Sequence, residues 1–255
     1  MRLRLARCTT VDLHAWTGLT GGQIRRLIEQ LWDACPDAGR GRRWALGFPD
    51  RVLMLVLSCR TNLTMEQLAA LFAISDSAVH RVVDRLAPHL AELIGPPPTD
   101  RRELWIVDGT LIPVHDKNRT AKSKNDRRSV NTPIICPARD RRIVAVSAAW
   151  PGNRNDTIVF KETLGKTLPS HARLIGHGGY RGNPAIRSPR RGPDGRRIIR
   201  DWNHRRFRKR RAIVEHTIAR LKDHRILRQC RRRGEGIDHA IAGVAALHHL
   251  KPETP

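Results

Sequence analysis

Glu103-Leu104-Trp105-Ile106-Val107-Asp108-Gly109-Thr110 decides how the second half of the chain is read. Apolar and β-branched residues run up to a carboxylate, and a glycine follows at once. That pattern predicts a buried strand delivering Asp108 at its end. A strand-rich texture continues beyond it. A strand is expected near 132–136, a hairpin turn at Arg139-Asp140-Arg141, and a strand over 142–149 carrying Ile143-Val144-Ala145-Val146. A helix from Asp156, a strand over 172–175, a basic loop and a helix over about 203–222 complete this half. The last helix sets Arg211 and Glu215 one turn apart, close enough to pair. The Pro- and Gly-rich piece from Gly182 to Gly195 predicts a long loop, a kind that compact domains keep for function or motion.

Upstream the texture is helical. Residues 17–34 predict a helix with Ile24, Leu27, Ile28 and Leu31 on one face. A Pro-, Gly- and Arg-rich loop over 36–43 follows. Three helical segments fill 49–93: one opened by Pro49 and running through Val52–Leu57, one capped by Thr64, and one after the break Ala73-Ile74-Ser75. The third turns Val79, Val82, Val83 and Leu86 inward and Ser77, His80 and Arg81 outward. Two helices joined by a tight break behind a supporting helix form the helix-turn-helix plan, whose last helix enters the DNA major groove. An ordinary three-helix domain with a solvated face is the alternative. Pro96-Pro97-Pro98 then makes a stiff linker. The expected division is an N-terminal helical segment over 1–44, a helix-turn-helix domain over 45–95, and a larger α/β domain over 101–250.

Composition narrows the partner. The chain has 255 residues, a net charge of +24 and 40% hydrophobic residues, enough for a real core. So basic a molecule attracts a polyanion, and nucleic acid comes first because many Lys and Arg contacts release condensed counterions. No long apolar run and no secretory leader is expected. Cys8, Cys35, Cys59, Cys136 and Cys230 are scattered, odd in number and without a C-x-x-C pair, which points to reduced thiols in a cytoplasmic protein. Arg196, Arg197 and Arg200 lead into Arg205-Arg206-Phe207-Arg208-Lys209-Arg210-Arg211, a candidate phosphate-binding strip. Lys122-Ser123-Lys124 is a weaker candidate in the loop after the first strand.

Four motifs carry a resemblance. They are Val107-Asp108-Gly109-Thr110, Pro151-Gly152-Asn153-Arg154-Asn155-Asp156, Gly178-Gly179-Tyr180-Arg181-Gly182, and Arg211, Glu215 and Lys222 at their spacing. Together they resemble the insertion-sequence transposases of the DDE superfamily, in the branch related to Harbinger-type endonucleases. The last set is similar to that family's Tyr-Arg-Glu-Lys signature, with Arg208 at the tyrosine position. The resemblance implies an RNase H-like mixed-sheet catalytic domain behind a small all-α helix-turn-helix domain. It implies phosphodiester cleavage and strand transfer with Mg²⁺ or Mn²⁺, acting on double-stranded DNA (terminal inverted repeats and target), by at least a homodimer on the bacterial nucleoid. Asp108 matches the first catalytic carboxylate and Glu215 the third. His177 stands where the second Asp is expected. Imidazole offers one neutral nitrogen and suits zinc or copper better than Mg²⁺. A transposase impaired at His177, or a relic that only binds DNA, is therefore the alternative. Asp156 is a secondary candidate metal ligand, with helix N-capping as its plainer role. Ser77, His80, Arg81, Arg208, Arg211 and Lys222 are the expected DNA contacts. Tyr180, between glycine and arginine, is expected to pack.

Overall fold

The computed structural model describes residues 3–37, 43–98, 103–123, 126–168 and 173–250. Five helices come first: α1 (Thr10–Thr17), α2 (Gly21–Ala34), α3 (Phe48–Thr61), α4 (Met65–Phe72) and α5 (Asp76–Glu92). The single helix expected over 17–34 is α2 alone, with α1 before it. Gly18 takes a left-handed φ of 73° between them, and Thr20 and Gln23 form a capping box that restarts the chain. The break between α4 and α5 is as the sequence suggests. Ala73 adopts φ 53° and Ser75 caps α5 by accepting from the Ala78 N–H. Val79, Val82, Val83 and Leu86 are buried, and Ser77, His80 and Arg81 are exposed on the opposite face. α3 is buried from Val52 to Cys59 and forms the centre of this unit.

The second unit contains β1 (Leu104–Pro113), β2 (Ala121–Lys122), β3 (Arg128–Pro137), β4 (Ala145–Val146), β5 (Trp150–Pro151), α6 (Asp156–Glu162), α7 (Leu164–Thr167), β6 (Arg173–Gly176), β7 (Ile186–Arg187) and α8 (Trp202–Leu221). The sheet order is β2-β3-β1-β6-β7, with β4 and β5 also pairing with β3. β1 is central, antiparallel to β3 and parallel to β6. This is the mixed sheet of the RNase H-like fold, with β6 lying parallel beside β1. Alternation along β1 divides the core between two faces. Trp105 and Val107 pack with Phe160, Leu164 and Tyr180, while Ile106 packs with Cys136, Ile175 and Val214 of α8.

Two details differ from the sequence reading. Asp108 does not end its strand, because β1 continues to Pro113 and pairs with β3 throughout. The strand expected over 142–149 shrinks to Ala145–Val146, followed by the short Trp150–Pro151. Ser147 still donates to the Pro133 carbonyl, but Pro133 has no N–H to return, so the ladder fails there. Residues 38–42 of the expected loop, residue 172 of the expected strand, and Lys124 lie outside the described residues.

A last helix, α9 (Gly236–His249), returns to the first unit. By contacts, the described residues up to 94 and those over 222–250 form one compact unit, and those over 95–221 form the other. α9 packs on α5 closely enough that a Cβ at Gly243 would sit 3.1 Å from Leu90 Cδ2. Among the described residues, no helix is long and apolar enough to cross a membrane.

Candidate active site

Asp108 lies two residues beyond Ile106 on β1 and so shares the sheet face covered by α8. β6 ends at Gly176, in register with Val107, which brings the next residue, His177, beside Asp108. His177 Nε2 is 3.5 Å from Asp108 Oδ1 and 2.9 Å from Asp156 Oδ2. Asp156 opens α6 but does not cap it. Asn155 holds the capping position, accepting from the Thr157 N–H, and the Asp156 carboxylate faces the strands instead. Asn131 Nδ2 donates to Asp156 Oδ1 at 2.6 Å and also to the Arg154 carbonyl. Gly109 makes room for this. A Cβ there would lie 2.5 Å from Asp156 Oδ1.

The tautomer of neutral His177 follows from its neighbours. The Gly179 N–H donates to Nδ1 at 2.8 Å, so the ring proton sits on Nε2, directed at the two carboxylates. A Cβ on Gly179 would approach His177 Cε1 to 2.2 Å, so only glycine lets the backbone reach the ring. Tyr180, fully buried, packs edge-on against His177 at 4.9 Å and against Phe160 at 6.2 Å, as expected of a packing residue.

Arg211 closes the cluster from α8. Its Nη2 lies 3.0 Å from Glu215 Oε1 and 3.5 Å from Asp108 Oδ2. A single nitrogen spans both acids, so Asp108 and Glu215 occupy one pocket. Arg211 Nε is buried with no hydrogen-bond partner among the described residues. Burial pushes the Asp108 carboxyl above its ordinary range, with His177 and Arg211 opposing and Asp156 and Glu215 adding to the rise.

Three carboxylates are thus linked, Asp108 and Glu215 through Arg211 and Asp108 and Asp156 through His177, in a chain of net charge +24. All are hard oxygen donors, and their excess negative charge suits a divalent cation of the Mg²⁺ type. They are held by Arg211 and the His177 N–H as folded, and among the described residues no group of three or more acids, histidines or cysteines stands in coordination geometry.

The remaining expected site residues lie apart from this cluster. Arg208 is exposed one turn before Arg211. Lys222 falls in the unit built on the N-terminal helices, as do the exposed Ser77, His80 and Arg81 of α5. Asn131 and Gly109 hold Asp156 in place; Asn131 was not singled out from the sequence, and Gly109 only as part of the motif around Asp108. An asparagine inside the apolar run Val130 to Ile135 is the signal that marks the first.

Residues 100–250 match the family described as transposase DDE domain, and residues 44–96 match the helix-turn-helix of DDE superfamily endonuclease. The chain is 39% identical over 255 residues to a Streptomyces albus G protein named as a transposase for insertion sequence element IS112, covering 96% of this chain and 98% of that one. The chain belongs to the DDE transposases, with a helix-turn-helix unit joined to an RNase H-like domain.

Proposed function

We propose that this transposase recognises the inverted terminal repeats of its element and cuts and joins DNA at the Asp108–Asp156–Glu215 cluster. The observation that carries the proposal is the sharing of Arg211 Nη2 by Asp108 and Glu215, with Asp156 drawn in through His177. DDE transposase domains use a divalent metal, and Asp108, Asp156 and Glu215 would hold it, with Asp156 replacing the carboxylate missing at His177. When bound, the ion neutralises charge on the phosphodiester and favours an oxygen nucleophile.

The protein's own groups supply the rest. Arg211 would lend its charge to the phosphoryl group, and Arg208 and Lys222 would contact neighbouring phosphates. Ser77, His80 and Arg81 would meet base edges. His177 orients Asp156 rather than binding the ion. Water attacks phosphorus, the P–O3′ bond breaks, and the freed oxygen takes a proton to become a 3′ hydroxyl. That hydroxyl then attacks a target phosphorus, forming a new P–O3′ bond while the target's own P–O3′ bond breaks. A homodimer or larger assembly would bring both element ends together, acting on nucleoid DNA in the cytoplasm.

One observation favours the binding-only alternative. His177 Nε2 offers the carboxylates a proton, not an ion a lone pair. Nicking of terminal-repeat DNA with Mg²⁺ or Mn²⁺ separates the readings. Nicking by the unaltered chain, lost in Glu215→Gln and Asp156→Asn, supports the catalytic role given to Asp156. Nicking only by His177→Asp makes the natural chain a binder.

A further inference from the structure

We propose that the groove between β6, β7 and the first half of α8 holds an unpaired DNA strand, with the Trp202 indole as its stacking platform; this deepens the catalytic reading and rests on it. The groove encloses about 790 Å³ and has an apolar wall containing Leu174, Ile175 and Phe207. Arg173, Arg187, Arg190, Arg206 and Arg210 line it against a single carboxylate, Asp201. That acid is already engaged, since it accepts from the His204 N–H at the start of α8 and lies 3.9 Å from Arg190.

Trp202 opens α8 and is 64% exposed. Folding gains little from an indole left in water. The Arg206 guanidinium, which also lines the groove, lies over the ring at 4.5 Å from its centroid. Duplex DNA turns its phosphates outward and keeps its bases stacked inside. An arginine-lined groove with apolar walls beside an exposed indole matches the opposite case, a backbone to be tracked and bases free to stack. The position suits a strand leaving the reaction centre. β6 runs directly into His177, and Arg210 precedes Arg211 on the same helix that carries Glu215.

The test is equilibrium binding by the full chain without divalent metal. Three fluorescent probes are compared: a blunt duplex, the same duplex with an oligothymidine tail, and the oligothymidine alone. We expect the tail to tighten duplex binding and to quench tryptophan emission. Trp202→Ala should weaken binding of the tailed duplex by about tenfold and abolish the quench, while blunt-duplex affinity stays unchanged and reports an intact fold. Trp202→Phe should restore most of the tail preference. Equal affinity of the unaltered chain for blunt and tailed probes overturns the proposal. Equal weakening of both probes by Trp202→Ala, or weakening of neither, also overturns it. Nicking is measured separately, so loss of nicking with the tail preference intact would count against the catalytic reading alone.

Discussion

Gly109 carries no β-carbon, and that absence lets the Asp156 carboxylate lie against β1. Gly109→Ala should destabilise the sheet unit by about 1–3 kcal/mol, as overpacking does. It should also lower nicking by displacing Asp156; denaturant unfolding and the nicking assay check the two effects. Asp156→Asn keeps the size but removes a charge, and should cost more than the roughly 10–100-fold typical of losing a supporting partner. That Asp108 and Glu215 come together was legible in the sequence because each sits in a recognisable local motif. Asp156 stood only as a secondary candidate, since Asn155 and Asp156 are both good capping residues and nothing local says which of them caps. The orientation of His177 was equally hidden. It depends on a backbone N–H two residues on and a carboxylate on another element.

Helix starts were the most readable elements, because a cap and its third residue lie within one turn of sequence. Ser75 and the Thr64–Gln67 pair behave as such signals should. Ser75→Ala should destabilise the helix-turn-helix unit by about 1 kcal/mol, seen as a lower urea midpoint. It should also weaken DNA binding, because Ser75 fixes the first turn that presents Ser77. The short strands were harder. The alternation of 142–149 suggests a full strand, but whether a ladder closes depends on the partner. Here Pro133 lacks the donor the neighbouring strand needs.

At the scale of the whole molecule, the sequence motifs run straight from strand to helix to the end of the matched family, yet contacts divide the chain differently. Leu247 of α9 is fully buried in the unit that also holds α5. Leu247→Ala should cost about 2–5 kcal/mol there. The free cysteines show where. Cys59 and Cys230 are buried in that unit, and Cys136 is buried under α8 in the other. The substitution should speed labelling of Cys59 and Cys230 by a thiol reagent and leave Cys136 unchanged. Burial pushes the Cys136 thiol up to about 12 and the Cys230 thiol to about 11. A raised acid stabilises the fold fully below its ordinary value of 9.0 and loses that contribution as pH climbs through the raised one. The fall in urea midpoint from neutral pH to about pH 11 should therefore be smaller in Cys136→Ala than in the parent.

The return of α9 has a consequence for synthesis. A chain emerging from the ribosome displays α1 to α5 early, but the partner that covers α5 is translated only after the entire acidic pocket has been made. The apolar side of α5 that α9 covers must therefore wait, exposed, through more than half of translation. A finished recognition unit thus certifies that the cutting half of the polypeptide has already been built.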